Sequence, residues 1–177
     1  MIGTVAKDAE KNSFKVYMVT PDKDFAQLVS NNIFLCKPAR MGNSMEIWGV
    51  DEVKDKFEIE SPDQVIDYLG MMGDSVDNIP GLPGVGDKTA KKFLAQYGSM
   101  EALLANTADL KGKMKEKIEA NKELGLLSKK LARIMLDVPV QFDANDYKLS
   151  DPDVPAVSEL FQELEFRRLS ETFYQSL

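Results

Sequence analysis

The sequence predicts an α/β unit, a partial and mainly parallel sheet with flanking helices, followed by an all-helical unit. Two β-branched and aromatic runs, residues 15–20 and 33–37, are separated by helical spacing, the order of a βαβ-type unit. Glycine and proline then crowd residues 73–86, as Gly73, Pro80, Gly81, Pro83, Gly84 and Gly86. Beyond them no strand pattern returns until about Val138.

Taken in order, residues 4–11 have helical spacing with no cap or turn before them, and a chain that begins inside an element is expected to be part of a longer polypeptide. The strand at 15–20 is ended by Pro21. Asp22 then caps a helix over 23–30 whose Phe25, Leu28 and Val29 share a face, and Asn31-Asn32 turns into the strand at 33–37. Residues 40–44 read as a turn, Met45–Trp48 as a short strand, and 50–57 and 61–72 as helices, the second with Ser61 as cap and Pro62 in its first turn. Further helices are expected near 86–97, 100–105, 112–124 and 126–136, the last two parted at Gly125. Residues 143–153 form an acidic loop, and 154–169 regain helical spacing and are expected to pack back on the body. The expected organisation is an α/β core over 1–72, a helical subdomain over 73–137 and a C-terminal segment over 138–177.

Composition removes several chemistries. The 177 residues contain no His, which excludes Ser-His-Asp and Cys-His nucleophile systems, histidine-bound zinc and an imidazole base. The single Cys36 lies in an apolar run and reads as a small buried hydrophobe in a reducing, cytoplasmic compartment. No window reaches the ~18 apolar residues of a membrane span, and Met1-Ile2-Gly3-Thr4 lacks the order of a signal peptide. The net charge is −7, but it is unevenly spread: residues 86–133 hold eleven Lys and Arg against six Asp and Glu. A basic central segment on an acidic body reads either as a surface that meets phosphates or as a solvated helical face.

Asp22 and Asp24 follow the first strand at its carboxyl end, where open α/β sheets place functional loops. They read as metal ligands, held from below by Val19 and Phe25, or else as an N-cap and a first-turn acid. Asp74 and Asp77, three apart, fall on one side of a helical turn, where like charges repel unless a cation lies between them. Aspartate oxygens without His or Cys select a hard ion, Mg²⁺ or Mn²⁺, which would polarise a phosphate. Lys23, between two of these acids, either contacts a phosphate or balances charge. In the segment 79–90, Gly84 and Gly86 allow backbone N–H groups to face a phosphate at the next helix start, with Lys88, Lys91 and Lys92 close by. A Walker loop does not fit, because Asp87 separates Gly86 from Lys88-Thr89. Trp48, Phe57, Met71 and Met72 read as core.

The stretches Thr20-Pro21-Asp22-Lys23-Asp24-Phe25-Ala26-Gln27-Leu28 and Gly73-Asp74-Ser75-Val76-Asp77-Asn78-Ile79-Pro80-Gly81-Leu82-Pro83-Gly84-Val85-Gly86-Asp87-Lys88-Thr89-Ala90 closely resemble the 5′-nuclease (5′→3′ exonuclease and flap endonuclease) domain of the bacterial DNA polymerase I family. The likeness runs from about Ile2 to Leu169 and covers only the carboxyl-terminal part of that domain. It implies a 5′-nuclease, PIN-like core with a helix–three-turn–helix, a helix-hairpin-helix element, and sequence-independent binding of duplex, nicked or flapped DNA in replication and repair. It assigns Asp22, Asp24, Asp74 and Asp77 to a catalytic acidic cluster holding Mg²⁺ or Mn²⁺. The DNA contacts fall on Gly81, Gly84, Val85, Gly86, Lys88, Thr89, Lys91 and Lys92, with K⁺ on the loop carbonyls. Residues 112–117 become a second, degenerate hairpin that brings Lys113 and Lys115 to DNA. The family's other catalytic acids and helical arch would lie upstream of Met1, and its polymerase portion beyond Leu177. On this likeness the chain alone binds DNA, cleaves weakly or not at all, and self-associates through an unpaired sheet edge.

Overall fold

The structure is a computed structural model that describes residues 1–38 and 45–176; the turn expected at 40–44 lies outside the described residues. The chain divides into two compact units, Met1–Phe142 and Asp143–Leu177.

In the first unit, α1 (Ile2–Lys11) turns the small residues Gly3, Thr4, Ala6 and Ala9 inward. A Cβ on Gly3 would stand 2.9 Å from side-chain carbons of Ile134 and Leu136, so the glycine sets how closely that segment approaches. Three strands follow: β1 (Val16–Val19), β2 (Ile33–Pro38) and β3 (Met45–Trp48), in the order β1-β2-β3. β1 and β2 pair in parallel, with Val16 opposite Ile33. β3 pairs antiparallel, with Leu35 opposite Trp48, since the few residues after β2 cannot form a crossover. Strand alternation buries Met18, Leu35 and Trp48 on one face and leaves Tyr17, Val19 and Ile47 exposed. Val19 therefore does not support the acidic loop from below, as the sequence suggests.

The helix expected over 23–30 is a tighter 3₁₀ segment, Lys23–Leu28, and Val29 is already extended. Buried Gln27 fixes it: its Nε2 donates to the carbonyls of Asp24 (2.9 Å) and Ala132 (3.0 Å), and its Oε1 accepts from the Ile134 amide (2.9 Å). A fully satisfied buried amide holds its neighbours in one register.

Helix α2 (Val50–Phe57) starts where the Glu52 carboxylate accepts from the Gly49 amide (2.8 Å) and ends at Glu58 in the left-handed region. Helix α3 (Gln64–Met72) is preceded by a turn in which the Ser61 carbonyl accepts from the Gln64 amide, so Ser61 and Pro62 stand ahead of the helix rather than in it. Further along the unit come α4 (Asp87–Tyr97), α5 (Met100–Ala105), the 3₁₀ turn Thr107–Asp109, α6 (Gly112–Ala120) and α7 (Lys122–Ala132), the last ending short of the 136 expected. The break between α6 and α7 falls at Asn121, not at Gly125. Gly125 sits inside α7 because a Cβ there would lie 2.7 Å from Leu82, so it serves packing rather than a turn. In the same way Gly70 lets α3 meet the Lys129 backbone on α7. Residues 138–142 join no strand among the described residues. Trp48, Phe57 and Met71 are core, and Cys36 is buried.

One buried ion pair ties α3, α5 and α7 together. Asp67 Oδ1 accepts from the Met100 amide (2.7 Å) and from Lys129 Nζ (2.6 Å), and the ammonium also reaches Glu101 Oε2 (2.6 Å). Lys129 is thereby committed to the fold. Lys129→Ala leaves Asp67 without its counter-charge and is expected to destabilise by about 3–5 kcal/mol, read from urea unfolding; a loss below about 1 kcal/mol would show the pair to be peripheral.

In the second unit, α8 (Val154–Glu163) and α9 (Arg167–Ser176) replace the single helix expected over 154–169. Glu165 takes a left-handed φ of 55° at the break. The two helices meet through Phe161 and Phe173, whose rings are 5.8 Å apart and perpendicular. None of the residues of α8 or α9 is buried.

Candidate metal centre and nucleic-acid interface

Three of the four predicted acids converge. One carboxylate oxygen from each of Asp24, Asp74 and Asp77 lies within 4.8 Å of the others. Asp24 arrives on the 3₁₀ segment after β1, and Asp74 and Asp77 on the loop after α3. That loop is not the helical turn read from the spacing. Asp74 and Ile79 exchange two backbone hydrogen bonds (2.9 and 2.8 Å), which close it as a small antiparallel bridge, and Asn78 turns it with φ 56°. Asp22 does something else: its Oδ1 accepts from the Asp24 amide at 2.9 Å, the N-cap role. It still lines the same open cleft of about 410 Å³, with Asp24, Asp77, Leu131 and Arg133. Arg133, in the sequence only part of a basic count, follows α7 and also lines this cleft, with its charge acting on Glu101.

Asp24 and Asp74 differ electrostatically. Burial, then the charge of Asp22, pushes the Asp24 carboxyl up to about 6, and its Oδ1 is buried without a hydrogen-bond partner. Asp74 is held below the usual carboxylate range, chiefly by the Lys23 ammonium 2.7 Å from its Oδ2, while its Oδ1 accepts from the Val76 amide (2.9 Å). The hydrogen bond to Asp74 in turn raises Lys23. An orphaned buried oxygen beside two further carboxylates, with no His or Cys present, fits a hard divalent cation held by Asp24, Asp74 and Asp77.

The glycine segment lies next to this cluster in the chain and divides into a structural and an exposed part. Gly73 (φ 76°) and Gly81 (φ 67°) pack backbone to backbone: a Cβ on Gly81 would stand 2.5 Å from the Gly73 nitrogen and 2.7 Å from the Met72 carbonyl carbon. The Gly81 amide donates to buried Ser128 Oγ (3.0 Å), and the Leu82 amide to the Met71 carbonyl (2.8 Å). Val85 is buried. Gly84 (φ 87°) and Gly86 are exposed, and Gly86 opens α4 with nothing within 4 Å of where a Cβ would stand.

The lysines divide likewise. Lys88 and Lys92 are exposed, and Thr89 is half-buried. Lys91 is held by Glu58 (3.0 Å) and Asp87 (3.3 Å), with Asp87 also accepting from Tyr68 Oη (2.7 Å), so neither Lys91 nor Asp87 has its charge turned to solvent alone. On α6, Lys113 is exposed and Lys115 lies 4.0 Å from Glu119. Lys117 comes closest: its Nζ would be 3.2 Å from a Cβ on Gly84, so α6 brings a cation onto the α3–α4 turn.

Residues 1–58 match the family model described as the N-terminal resolvase-like domain of 5′-3′ exonuclease, and residues 60–155 its C-terminal SAM fold. The chain belongs to the 5′-3′ exonuclease family. It is 39% identical over 172 residues to DNA polymerase I of Bacillus caldotenax, covering 97% of this chain and 20% of that protein. Against the 5′-3′ exonuclease of Aquifex aeolicus it is 37% identical over 169 residues, covering 96% of this chain and 56% of that one. The chain thus spans about a fifth of the polymerase relatives and little more than half of the exonuclease. Among solved structures it shares its fold with the bacteriophage T5 5′-exonuclease bound to divalent metal ions (zinc), with a TM-score of 0.64 at 19% identity over 74% of this chain and 47% of that one. A complex of the T5 D15 flap endonuclease with DNA and metal ions is similar, with a TM-score of 0.65 at 19% identity over 75% of this chain and 47% of that one. The two matched ranges meet just ahead of α3, which packs most extensively on α7. Among the described residues no helix is long and apolar enough to cross a membrane.

Proposed function

We propose that the chain binds the phosphate backbone of duplex, nicked or 5′-flapped DNA, and that Asp24, Asp74 and Asp77 hold a Mg²⁺ or Mn²⁺ ion for metal-dependent phosphodiester hydrolysis. The observation that carries this is the convergence of three carboxylates, one with an orphaned buried oxygen, on the loop that leads directly into the exposed Gly84–Gly86 turn. When bound, the ion supplies Lewis acidity at a phosphoryl oxygen. The chain's own residues position the DNA: the α4 N-terminus at Gly86 faces an anion, and Lys88, Lys92 and Lys117 flank it. Arg133, which lines the cleft with Asp22, Asp24 and Asp77, supplies one further cation for phosphate. A K⁺ ion on the carbonyls of the same turn belongs to this reading, as does a cytoplasmic setting, which suits the buried free thiol of Cys36.

A second reading, DNA binding with little turnover, is favoured by the number of ligands. Three converging carboxylates, with Asp22 serving as a cap, suffice for one ion rather than for the pair that clamps both attacking and leaving oxygens. The two are separated by mixing the protein with a labelled 5′-flap duplex and Mg²⁺ or Mn²⁺, reading anisotropy and cleavage together, with Asp74→Ala as control. Binding without cleavage supports the second reading, and cleavage lost in Asp74→Ala supports the first.

The DNA surface is tested separately. Lys88→Ala, Lys92→Ala and Lys117→Ala combined are expected to weaken binding across all sequences and to reduce the log K against log salt slope by about 2–3, since each phosphate contact contributes about 0.9. Lys91→Ala, whose ammonium is already paired, is expected to leave that slope unchanged. An unaltered slope in the triple variant would place the DNA elsewhere.

A further inference from the structure

We propose that Lys23 is an internal counter-ion of the carboxylate cluster: it holds Asp74 in the metal-free protein, and a divalent cation competes with it for that carboxylate. This rests on the metal-centre reading given above. Both oxygens of Asp74 are engaged, Oδ2 by Lys23 Nζ at 2.7 Å and Oδ1 by the Val76 amide at 2.9 Å. Yet Asp74 is one of the three acids whose oxygens converge within 4.8 Å. A cation that joins them has to share or take over an Asp74 oxygen, and its present partners, Lys23 and the Val76 and Asp77 amides, are not equally free to leave. The Val76 amide belongs to the loop closed by the paired Asp74–Ile79 bonds, so withdrawing it opens the backbone. Lys23 is a flexible side chain, 41% exposed, while its partner Asp74 is 9% exposed. The ammonium is therefore the mobile member of a pair whose other member is fixed. An ammonium and a divalent ion on one carboxylate repel at short range, so occupancy by one opposes the other. Before metal arrives, Lys23 offsets the repulsion among three crowded carboxyls. Once displaced, its head group remains at the cleft of about 610 Å³ that it lines with Ser75, Asn78 and Pro80.

Lys23 is thus a positioning residue with two separable effects, one on the metal-free fold and one on metal affinity. The test is Mn²⁺ titration by calorimetry and by electron paramagnetic resonance on the wild type, Lys23→Met, Lys23→Arg and Asp74→Asn. Thermal midpoints of the first three are recorded with and without Mn²⁺. Lys23→Met is expected to lower the metal-free midpoint but to bind Mn²⁺ about two- to fivefold more tightly, the scale of one partly exposed ion pair. Lys23→Arg, which keeps the charge, is expected to return both values towards wild type. Equal or weaker Mn²⁺ binding by Lys23→Met, with the wild type binding normally, overturns the counter-ion role and leaves the metal centre standing. Absence of Mn²⁺ binding from both the wild type and Lys23→Met, both folded, overturns the metal centre itself and this inference with it.

Discussion

Asp24→Asn is expected to raise the thermal midpoint of the metal-free protein at about pH 7.5 and to abolish its divalent-cation binding. The cause is the same for both. Burial and the neighbouring Asp22 push the Asp24 carboxyl from an ordinary 3.8 to about 6, and its Oδ1 has no partner. A folded-state value above the unfolded one means that the folded protein binds more protons across that interval, so stability falls as pH rises from about 4 to about 6 and is level above it. The full interval corresponds to about 3 kcal/mol; water screening of a half-buried group reduces this to roughly 1–2 kcal/mol. Asn removes the charge and keeps the shape, so the gain should be a few degrees near pH 7.5 and vanish near pH 4. Loss of an outer-shell partner alone costs roughly 10–100-fold in metal affinity, and loss of a direct oxygen ligand should exceed this. In the wild type, Mn²⁺ affinity should decline as pH drops through about 6, where the proton competes for Asp24. A midpoint for Asp24→Asn equal to or below wild type at pH 7.5, or Mn²⁺ binding retained, would remove Asp24 from the site.

Gly81→Ala is expected to produce the largest loss of stability among single alanine substitutions in the glycine segment. The new Cβ would meet only backbone, the Gly73 nitrogen at 2.5 Å and Cα at 2.9 Å and the Met72 carbonyl carbon at 2.7 Å, so no side chain can swing away. The left-handed φ of 67° adds about 1–2 kcal/mol, and overpacking about 1–3 kcal/mol. A total of roughly 2–5 kcal/mol should appear in urea unfolding. Because Gly73 adjoins Asp74, the forced separation should also disturb the acids, and Mn²⁺ affinity should fall with stability. Gly86→Ala is the contrast: the position is open and its φ is −110°, so stability should change by less than about 1 kcal/mol. DNA affinity should nevertheless fall, because the methyl group stands where a phosphate approaches the α4 N-terminus. Equal stability losses in the two variants would contradict this division of labour.

The two glycine positions show where sequence reasoning stops. Residue type alone marks 81, 84 and 86 as permissive, but which of them is a steric necessity depends on what lies opposite. For Gly81 that is Gly73, brought there by the Asp74–Ile79 bridge. Gly125 reads as a helix break from its local preference, yet its missing Cβ is filled by Leu82 from the hairpin, and tertiary packing overrides propensity. The helix expected over 23–30 shortens to a 3₁₀ turn because Gln27, which looks like one polar residue among apolar ones, is recruited by the Ala132 carbonyl at the end of α7 and the Ile134 amide beyond it.

Local patterning by itself determined the alternation of strand and helix up to Trp48, the helical character beyond Gly73, and the residue types of the acidic and glycine motifs. These follow from period, capping and backbone freedom, which act between near neighbours. Only the tertiary structure decided that Asp24, Asp74 and Asp77 meet while Asp22 caps, that Lys91 and Lys129 are neutralised while Lys88 and Lys92 stay exposed and Lys117 reaches the turn at Gly84, and that Lys23 grips Asp74. Charge pairing and ligand geometry depend on distances between residues tens of positions apart, and those distances exist only once α3, α4, α6 and α7 have packed.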